Sequence, residues 1–152
     1  MSSWNHSGGP AEILLIEDNP GDVRLTREAF KEGQIENTLH VAKDGVEALD
    51  FLFKRGEYAD APCPDIILLD LNLPGKNGDE VLEEIRDDPH LSRIPVIVLT
   101  SSEAESDIVK SYELRANAYL TKPVNPVEFI ETIQSFKSFW LSIVRLPPCD
   151  NQ

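Results

Sequence analysis

Two short segments that are apolar at every position constrain the fold of this chain more than any other feature. Residues 66–69 and 96–99 contain only Ile, Leu and Val, without the alternation of apolar and polar residues that marks a half-buried strand. Runs of this kind belong in the centre of a parallel sheet with helices packed on both faces. The pattern predicts strands over residues 13–17, 38–42, 66–70, 96–100 and 118–121.

Longer segments with helical spacing separate these strands, and each opens with a helix-start signal. A capping residue is followed three positions later by an acid in Asn19 with Asp22, Asp44 with Glu47, Asn77 with Glu80, Ser102 with Glu105, and Asn125 with Glu128. Gly33 and Gly56 are predicted to end the first and second helices. The alternation of strand and helix predicts an α/β doubly wound sheet.

Length and charge exclude several classes of function. The chain has 152 residues, enough for one domain, and its 27 acids against 14 bases give a formal net charge of −13. Such a charge repels phosphate backbones, so nucleic-acid binding is not expected. No apolar run approaches the ~20 residues of a membrane span, and no secretory signal is visible, so we expect a cytoplasmic protein. Residues 1–10 are expected to be a flexible leader and residues 147–152 a flexible tail.

Polar residues follow the predicted strands at the edge of the sheet where ligands usually bind. The first strand ends in Glu17 and Asp18, the third in Asp70, the fourth in Thr100, and the fifth leads into Lys122. If the first and third strands are neighbours, three carboxylates meet there, with a lysine and a hydroxyl close by. Asp70 carries the most weight, because a carboxylate directly after an apolar run is costly unless it is used.

Three carboxylates so close together need a cation to balance their charge. Two of them ~4 Å apart repel by roughly 4 kcal/mol at an effective dielectric constant of about 20, and one lysine offsets only part of this. Oxygen ligands alone point to Mg²⁺ rather than zinc, and Mg²⁺ commonly binds carboxylates together with a phosphate. The edge is therefore expected to bring a phosphoryl group next to a carboxylate, with Thr100 and Lys122 holding the phosphoryl oxygens.

These segments together resemble a response-regulator receiver domain of two-component systems. The resemblance is carried by residues 13–19 (ILLIEDN), 67–74 (ILLDLNLP), 96–101 (VIVLTS) and 118–123 (AYLTKP), in the family's order. It implies a flavodoxin-like five-stranded sheet in the order 2-1-3-4-5, within a receiver domain over residues 11–146.

The resemblance also implies a role for each site residue. Asp70 would be the phosphoacceptor, and Asp18, Asp70 and the carbonyl of Asn72 would bind Mg²⁺. Glu17, where the family more often has Asp, would act on the metal through water. Thr100 and Lys122 would contact the phosphoryl group. Tyr119 would be the aromatic residue that changes rotamer when Thr100 moves, and the bond between Lys122 and Pro123 would be cis.

The C-terminal segment resembles single-domain regulators associated with cyanobacterial-type phytochromes. The resemblance rests on residues 135–141 (SFKSFWL), 56–58 (GEY) and 111–114 (SYEL). It implies a histidine kinase partner, with a phytochrome-type photoreceptor kinase as one candidate, and a downstream protein target reached through a phosphorylation-sensitive surface. Phe129, Ile133, Phe136 and Trp140 form one helical stripe expected to pack on the sheet, and the extension through Phe139, Trp140 and Ile143 is expected to serve a homodimer or a partner.

Two other functions are compatible with an α/β sheet of this kind. An aspartyl-phosphate phosphohydrolase usually needs a second Asp two residues after its nucleophile, but Asn72 stands there and cannot act as a carboxylic acid. A flavin- or nucleotide-binding module needs a phosphate loop after the first strand, where this chain is acidic instead. Both are disfavoured, and we expect a phosphoacceptor signalling protein rather than an enzyme.

Overall fold

Five parallel strands form one sheet in this protein. The computed structural model describes residues 11–33, 36–74, 77–100, 116–122 and 125–143, and for residues 136–143 the backbone alone. The strands are β1 (Ala11–Ile16), β2 (Asn37–Ala42), β3 (Ile66–Asp70), β4 (Val96–Thr100) and β5 (Ala118–Thr121). Their order is β2-β1-β3-β4-β5, and every neighbouring pair is parallel. The predicted fold class and strand order are confirmed, although β1 stops at Ile16 and leaves Glu17 just beyond it.

The described residues include the helices α1 (Pro20–Glu32), α2 (Gly45–Leu52), α3 (Gly78–Asp87) and α4 (Pro126–Ile143). Four of the predicted capping residues accept a hydrogen bond from a first-turn backbone N–H: Asn19 from Asp22, Asp44 from Glu47, Asn77 from Glu80, and Asn125 from Glu128. The fifth predicted pair, Ser102 with Glu105, lies outside the described residues. Among the helices described, none combines the length and apolarity needed to cross a membrane.

The helix ends follow the sequence prediction at α1 but not at α2. Gly33 ends α1, and its N–H donates to the carbonyl of Ala29 at 3.0 Å. The prediction that Gly56 ends α2 is wrong, because the helix already stops at Leu52. Lys54 takes the left-handed conformation there, with φ of 57°, and its Nζ donates to the carbonyl of Ala61. This contact across the turn is not visible in the local sequence.

Both faces of the sheet are covered, which explains why its central strands are apolar throughout. Side chains of successive strand residues point to opposite faces. Four central positions pack with α2 and α3, namely Leu14, Ile16, Ile67 and Leu69. Their neighbours pack with α1 and α4 instead, namely Ile13, Leu15, Ile66 and Leu68. All eight are fully buried. Each contributes roughly 1.5–3 kcal/mol of hydrophobic stabilisation.

α4 packs on the sheet through the first half of its predicted apolar stripe. Phe129 and Ile133 are fully buried, and the ring of Phe129 meets that of Phe30 in α1 edge to face, with centroids 5.0 Å apart. The prediction that this stripe faces the core is confirmed for these two residues. The side chains of Phe136, Phe139, Trp140 and Ile143 lie outside the described part of the chain.

The start of β5 is held by side chains from two other elements. The carboxamide oxygen of Asn117 accepts hydrogen bonds from the N–H of Val96 and from Nη2 of Arg86, both at 2.9 Å. Arg86 belongs to α3, so this contact ties α3 to the two strands. The position of β5 matters because the chain emerging from it carries Lys122.

Gly78, the first residue of α3, has no space for a side chain. A Cβ there would lie 2.6 Å from Cα of Leu71 and 2.7 Å from the carbonyl oxygen of Asp70, both of which are backbone atoms. We expect Gly78→Ala to lower the free energy of unfolding by roughly 1–3 kcal/mol through overpacking, measured by urea denaturation.

Gly33→Ala is the matched control for this prediction. Its Cβ would meet only side-chain atoms of Ile130, the nearest at 2.3 Å, and a side chain can rotate away. We expect a smaller loss of stability than for Gly78→Ala. An equal or larger loss for Gly33→Ala would contradict the argument that fixed backbone next to Asp70 excludes a side chain.

Candidate metal and phosphoacceptor site

Alternation along the strands places three of the predicted site residues on one face of the sheet. Each of the three lies two positions after a leucine that packs with α1 and α4. The pairs are Leu15 with Glu17, Leu68 with Asp70, and Leu120 with Lys122. Since side chains two apart along an extended chain share a face, all three point towards the side of α1. Parallel strands bring their carboxyl ends to the same edge, so the three side chains meet there.

The acidic cluster expected from the sequence is present. Glu17, Asp18 and Asp70 each offer a carboxylate oxygen, and these oxygens all lie within 4.8 Å of one another. Glu17 and Asp70 are buried, whereas Asp18 is exposed. Oδ1 of Asp70 accepts a hydrogen bond from the N–H of Asn72 at 3.0 Å, which fixes the carboxylate relative to the loop after β3.

Lys122 is the cation that the structure brings to this cluster. Its Nζ lies 2.9 Å from Oε1 of Glu17 and 3.0 Å from Oδ2 of Asp70. Its backbone N–H donates to the carbonyl of Thr100 at 2.7 Å, which anchors the residue beside the end of β4. Of the three carboxylates that the sequence places at this edge, Lys122 contacts those of Glu17 and Asp70.

Asp22 also contacts Lys122, and sequence reasoning missed it. Oδ2 of Asp22 lies 2.9 Å from Nζ of Lys122, although the two residues are 100 positions apart. The sequence pattern marks Asp22 only as the acid of a helix-start pair. A signal was available, because the first turn of a helix that follows Glu17 and Asp18 must lie at the same edge of the sheet.

Burial and neighbouring charges shift the pKa values of Glu17 and Lys122. Burial raises the pKa of Glu17 to about 7, and the neighbouring Asp70 adds to this rise while Lys122 opposes it. For Lys122, burial disfavours the ammonium, but the carboxylates of Glu17, Asp22 and Asp70 outweigh it and raise its pKa above the usual value. Three carboxylates around one ammonium, with Asp18 beside them in the cluster, leave the site with a net negative charge.

The donor set fits a hard divalent cation. Oε1 of Glu17 is buried and accepts no hydrogen bond of acceptable geometry, even though Nζ of Lys122 lies 2.9 Å away. Such an oxygen is costly in a protein interior unless another positive partner serves it. Three carboxylate oxygens within 4.8 Å, with no nitrogen or sulfur donor in the cluster, suit Mg²⁺ or Mn²⁺.

The two predicted switch residues share the other face of the sheet. Val98 packs with α2 and α3, so Thr100, two positions later in β4, points to that same side. Tyr119 is paired with Val98 across β4 and β5, and it is half-buried against the same cluster of side chains. Thr100 is fully buried, and its hydroxyl donates a long hydrogen bond of 3.5 Å to the carbonyl of Leu120. The bond between Lys122 and Pro123 lies outside the described residues.

Comparisons with known proteins agree on one family. The model of the response regulator receiver domain matches residues 13–134. Response regulator Rcp1 from Synechocystis sp. is 48% identical over 143 residues, which cover 94% of this chain and 97% of that protein.

Solved structures show the same likeness. The crystal structure of the Mn²⁺-bound form of Rcp1 is 49% identical with a TM-score of 0.72, covering 91% of this chain and 99% of that one. The phosphorylated cyanobacterial phytochrome response regulator RcpA is 46% identical with a TM-score of 0.74, again covering 91% and 99%.

The raised pKa of Glu17 makes stability depend on pH when no metal is bound. As the pH rises from about 4.5 to 7, a glutamate in the unfolded chain loses its proton before buried Glu17 does. The unfolded state then binds fewer protons than the folded state, so the free energy of unfolding falls across this window and levels off above it. In EDTA at about pH 8, we expect Glu17→Gln to be more stable than the wild type by on the order of 3 kcal/mol, measured by urea denaturation.

Glu28→Gln is the control, because Glu28 is exposed on α1 away from the cluster. The free energy of unfolding of Glu28→Gln should depend on pH as that of the wild type does. If Glu17→Gln keeps the same fall in stability between about pH 5 and 7 as the wild type, the assignment of this fall to Glu17 is wrong.

Proposed function

The chain belongs to the response regulator receiver domain family, and on this premise we propose that it accepts a phosphoryl group from a histidine kinase on Asp70 with Mg²⁺ bound. The observation that carries the proposal is the setting of Asp70. Its buried carboxylate is fixed by the N–H of Asn72, paired with Lys122, and adjacent to two further acids. A carboxylate in this setting is reactive only if its charge is balanced during attack.

In the proposed reaction, a carboxylate oxygen of Asp70 forms a bond to phosphorus. The bond between phosphorus and the histidine nitrogen of the kinase breaks, and the imidazole leaves with the electron pair. The hydrogen bond from Asn72 orients the carboxylate, and the ammonium of Lys122, 3.0 Å from Oδ2, neutralises charge that develops on the phosphoryl oxygens. Positioning and charge neutralisation therefore supply most of the catalysis.

We assign the metal ligands as the family resemblance implies. Asp18, Asp70 and the carbonyl of Asn72 would hold Mg²⁺, and Glu17 would act on it through water. When bound, the cation supplies charge neutralisation between the acidic cluster and the incoming phosphoryl group. Support comes from the oxygen donors of the cluster and from the Mn²⁺-bound structure of Rcp1.

The proposed output is a change in a protein-binding surface. Phosphorylation adds close to two negative charges next to Lys122. Thr100 would move towards the phosphoryl group and Tyr119 would change rotamer, since both lie on the same face of the sheet. This change would alter the surface formed by β5 and the last two helices, one of which, opening at Ser102, is predicted from the sequence alone.

The relatives support the partners that we propose. RcpA is described as a phytochrome response regulator, and we propose a phytochrome-type histidine kinase as the phosphoryl donor. We further propose a stand-alone cytoplasmic regulator over residues 11–146 that acts through a downstream protein and not through nucleic acid or a membrane. The high coverage of Rcp1 supports the stand-alone form, and the net charge of −13 opposes binding to nucleic acid. An aspartyl-phosphate phosphohydrolase remains disfavoured, because Asn72 provides no general acid.

The phosphoacceptor role of Asp70 predicts a single site of modification. Incubation with a small phosphodonor and Mg²⁺ should add one phosphoryl mass to the wild type, and Asp70→Asn should abolish this gain, as measured by intact-mass spectrometry. Asp87→Asn, which changes an exposed acid of α3, should be phosphorylated like the wild type. A wild type that gains no mass, or an Asp70→Asn variant that gains it equally, would contradict the proposal.

The aromatic extension is proposed to serve a homodimer or a partner surface, and the homodimer can be tested directly. If Phe139 and Trp140 bury their rings between two copies of the chain, Phe139→Ser with Trp140→Ser should convert the dimer to a monomer in light scattering. Val127→Ser, which changes an exposed apolar residue at the other end of α4, is the matched control and should leave the mass unchanged. An unchanged mass for the double variant would contradict the role of this extension in a homodimer.

A further inference from the structure

Lys122 is surrounded by more carboxylates than the metal site needs. Its Nζ forms ion pairs with Glu17, Asp22 and Asp70 at 2.9, 2.9 and 3.0 Å, and those with Asp22 and Asp70 are also hydrogen bonds. Glu17 and Asp70 belong to the acidic cluster that fits a metal, whereas Asp22 does not. One ammonium is thus shared between two acids of the metal site and one acid outside it.

Asp22 differs from the other two acids in its exposure. Its side chain is 32% exposed, whereas those of Glu17 and Asp70 are 1% and 3% exposed. Water can therefore solvate Asp22 when Lys122 moves away, but it cannot do so for the buried pair. Asp22 can release the ammonium at lower cost than either of its competitors.

The backbone of α1 holds Asp22 in place. Its N–H donates to Oδ1 of Asn19 at 3.1 Å, and its carbonyl accepts a hydrogen bond from the hydroxyl of Thr26 at 3.1 Å. The N-terminal cap is made by Asn19, so the carboxylate of Asp22 is not needed to cap the helix. This carboxylate turns to Lys122 instead.

A lysine and a divalent cation compete for the same carboxylates. If Glu17 and Asp70 alone held the ammonium, it would offset part of their charge and a divalent cation would have to displace it. The carboxylate of Asp22 takes up part of the interaction between the ammonium and these two acids. We propose that Asp22 is a positioning residue that shares the ammonium of Lys122 with Glu17 and Asp70, weakens its hold on these two acids, and thereby keeps the site able to bind Mg²⁺. This inference rests on the metal site of the proposed function and adds to it a residue outside the ligand set.

The proposal is tested by a double-mutant cycle on Mg²⁺ affinity. Isothermal titration calorimetry with MgCl₂ would be run on the wild type, Asp22→Asn, Lys122→Gln, and the double variant in about 0.5 M KCl, where direct effects of an exposed charge on the metal are strongly screened. Asp22→Asn should raise the Kd for Mg²⁺ roughly threefold to tenfold when Lys122 is present. In the Lys122→Gln background the same change should have less than half of that effect.

Controls separate this role from a loss of folding or of charge alone. Glu28→Gln removes an exposed acid from the same helix and should leave the Kd unchanged. Thermal unfolding in EDTA reports whether each variant is folded, and Asp22→Ser replaces Asp22→Asn if the latter is not. A change in Kd that is equal in both backgrounds, or no change with Lys122 present, would overturn the proposal.

The outcome also distinguishes this inference from the proposed function. A wild type that does not bind Mg²⁺ at millimolar concentrations would contradict the metal site itself. A wild type that binds Mg²⁺ and an Asp22→Asn variant that binds it equally well would contradict the role of Asp22 alone.

Discussion

The ammonium of Lys122 is the interaction on which the functional edge of this protein depends. It lies within 3.0 Å of carboxylate oxygens from the end of β1, the end of β3 and the first turn of α1. Without it, buried Glu17 and Asp70 would repel each other more strongly in a region that excludes water, and the pKa of Glu17, which Lys122 lowers, would rise further. The lysine thus allows two buried acids to remain next to each other until a metal and a phosphoryl group arrive.

The sheet supplies the geometry that this interaction requires. Both faces are covered by helices. Because side chains along a strand alternate between the two faces, the position of a residue at the strand end decides which helices its side chain meets. Glu17, Asp70 and Lys122 share the face of α1, while Thr100 and Tyr119 share the face of α2 and α3. Phosphoryl chemistry and the proposed switch therefore lie on opposite sides of one edge, and the backbone contact between Lys122 and Thr100 joins them.

Much of the fold could be predicted, because its signals are local. The bounds of β3, β4 and β5 match the prediction, and the capping residues of the described helices lie where the sequence indicates. The end of α2 could not be predicted, since the left-handed turn falls on Lys54, whose side chain bonds across the turn to Ala61. Glycine is the usual residue for such a turn, so Gly56 was the natural but wrong choice.

The sequence by itself determined the fold class, the strand order through its family resemblance, and the acids and lysine that end the strands. These follow from hydrophobic period and from residue types at defined positions. Only the tertiary structure decided that Asp22 joins Lys122, because 100 residues separate the two and the sequence places the first turn of α1 at the same edge of the sheet without fixing this contact. It also decided how one ammonium is divided among three carboxylates, since this depends on distances and burial that arise only when β1, β3, β5 and α1 meet at one edge.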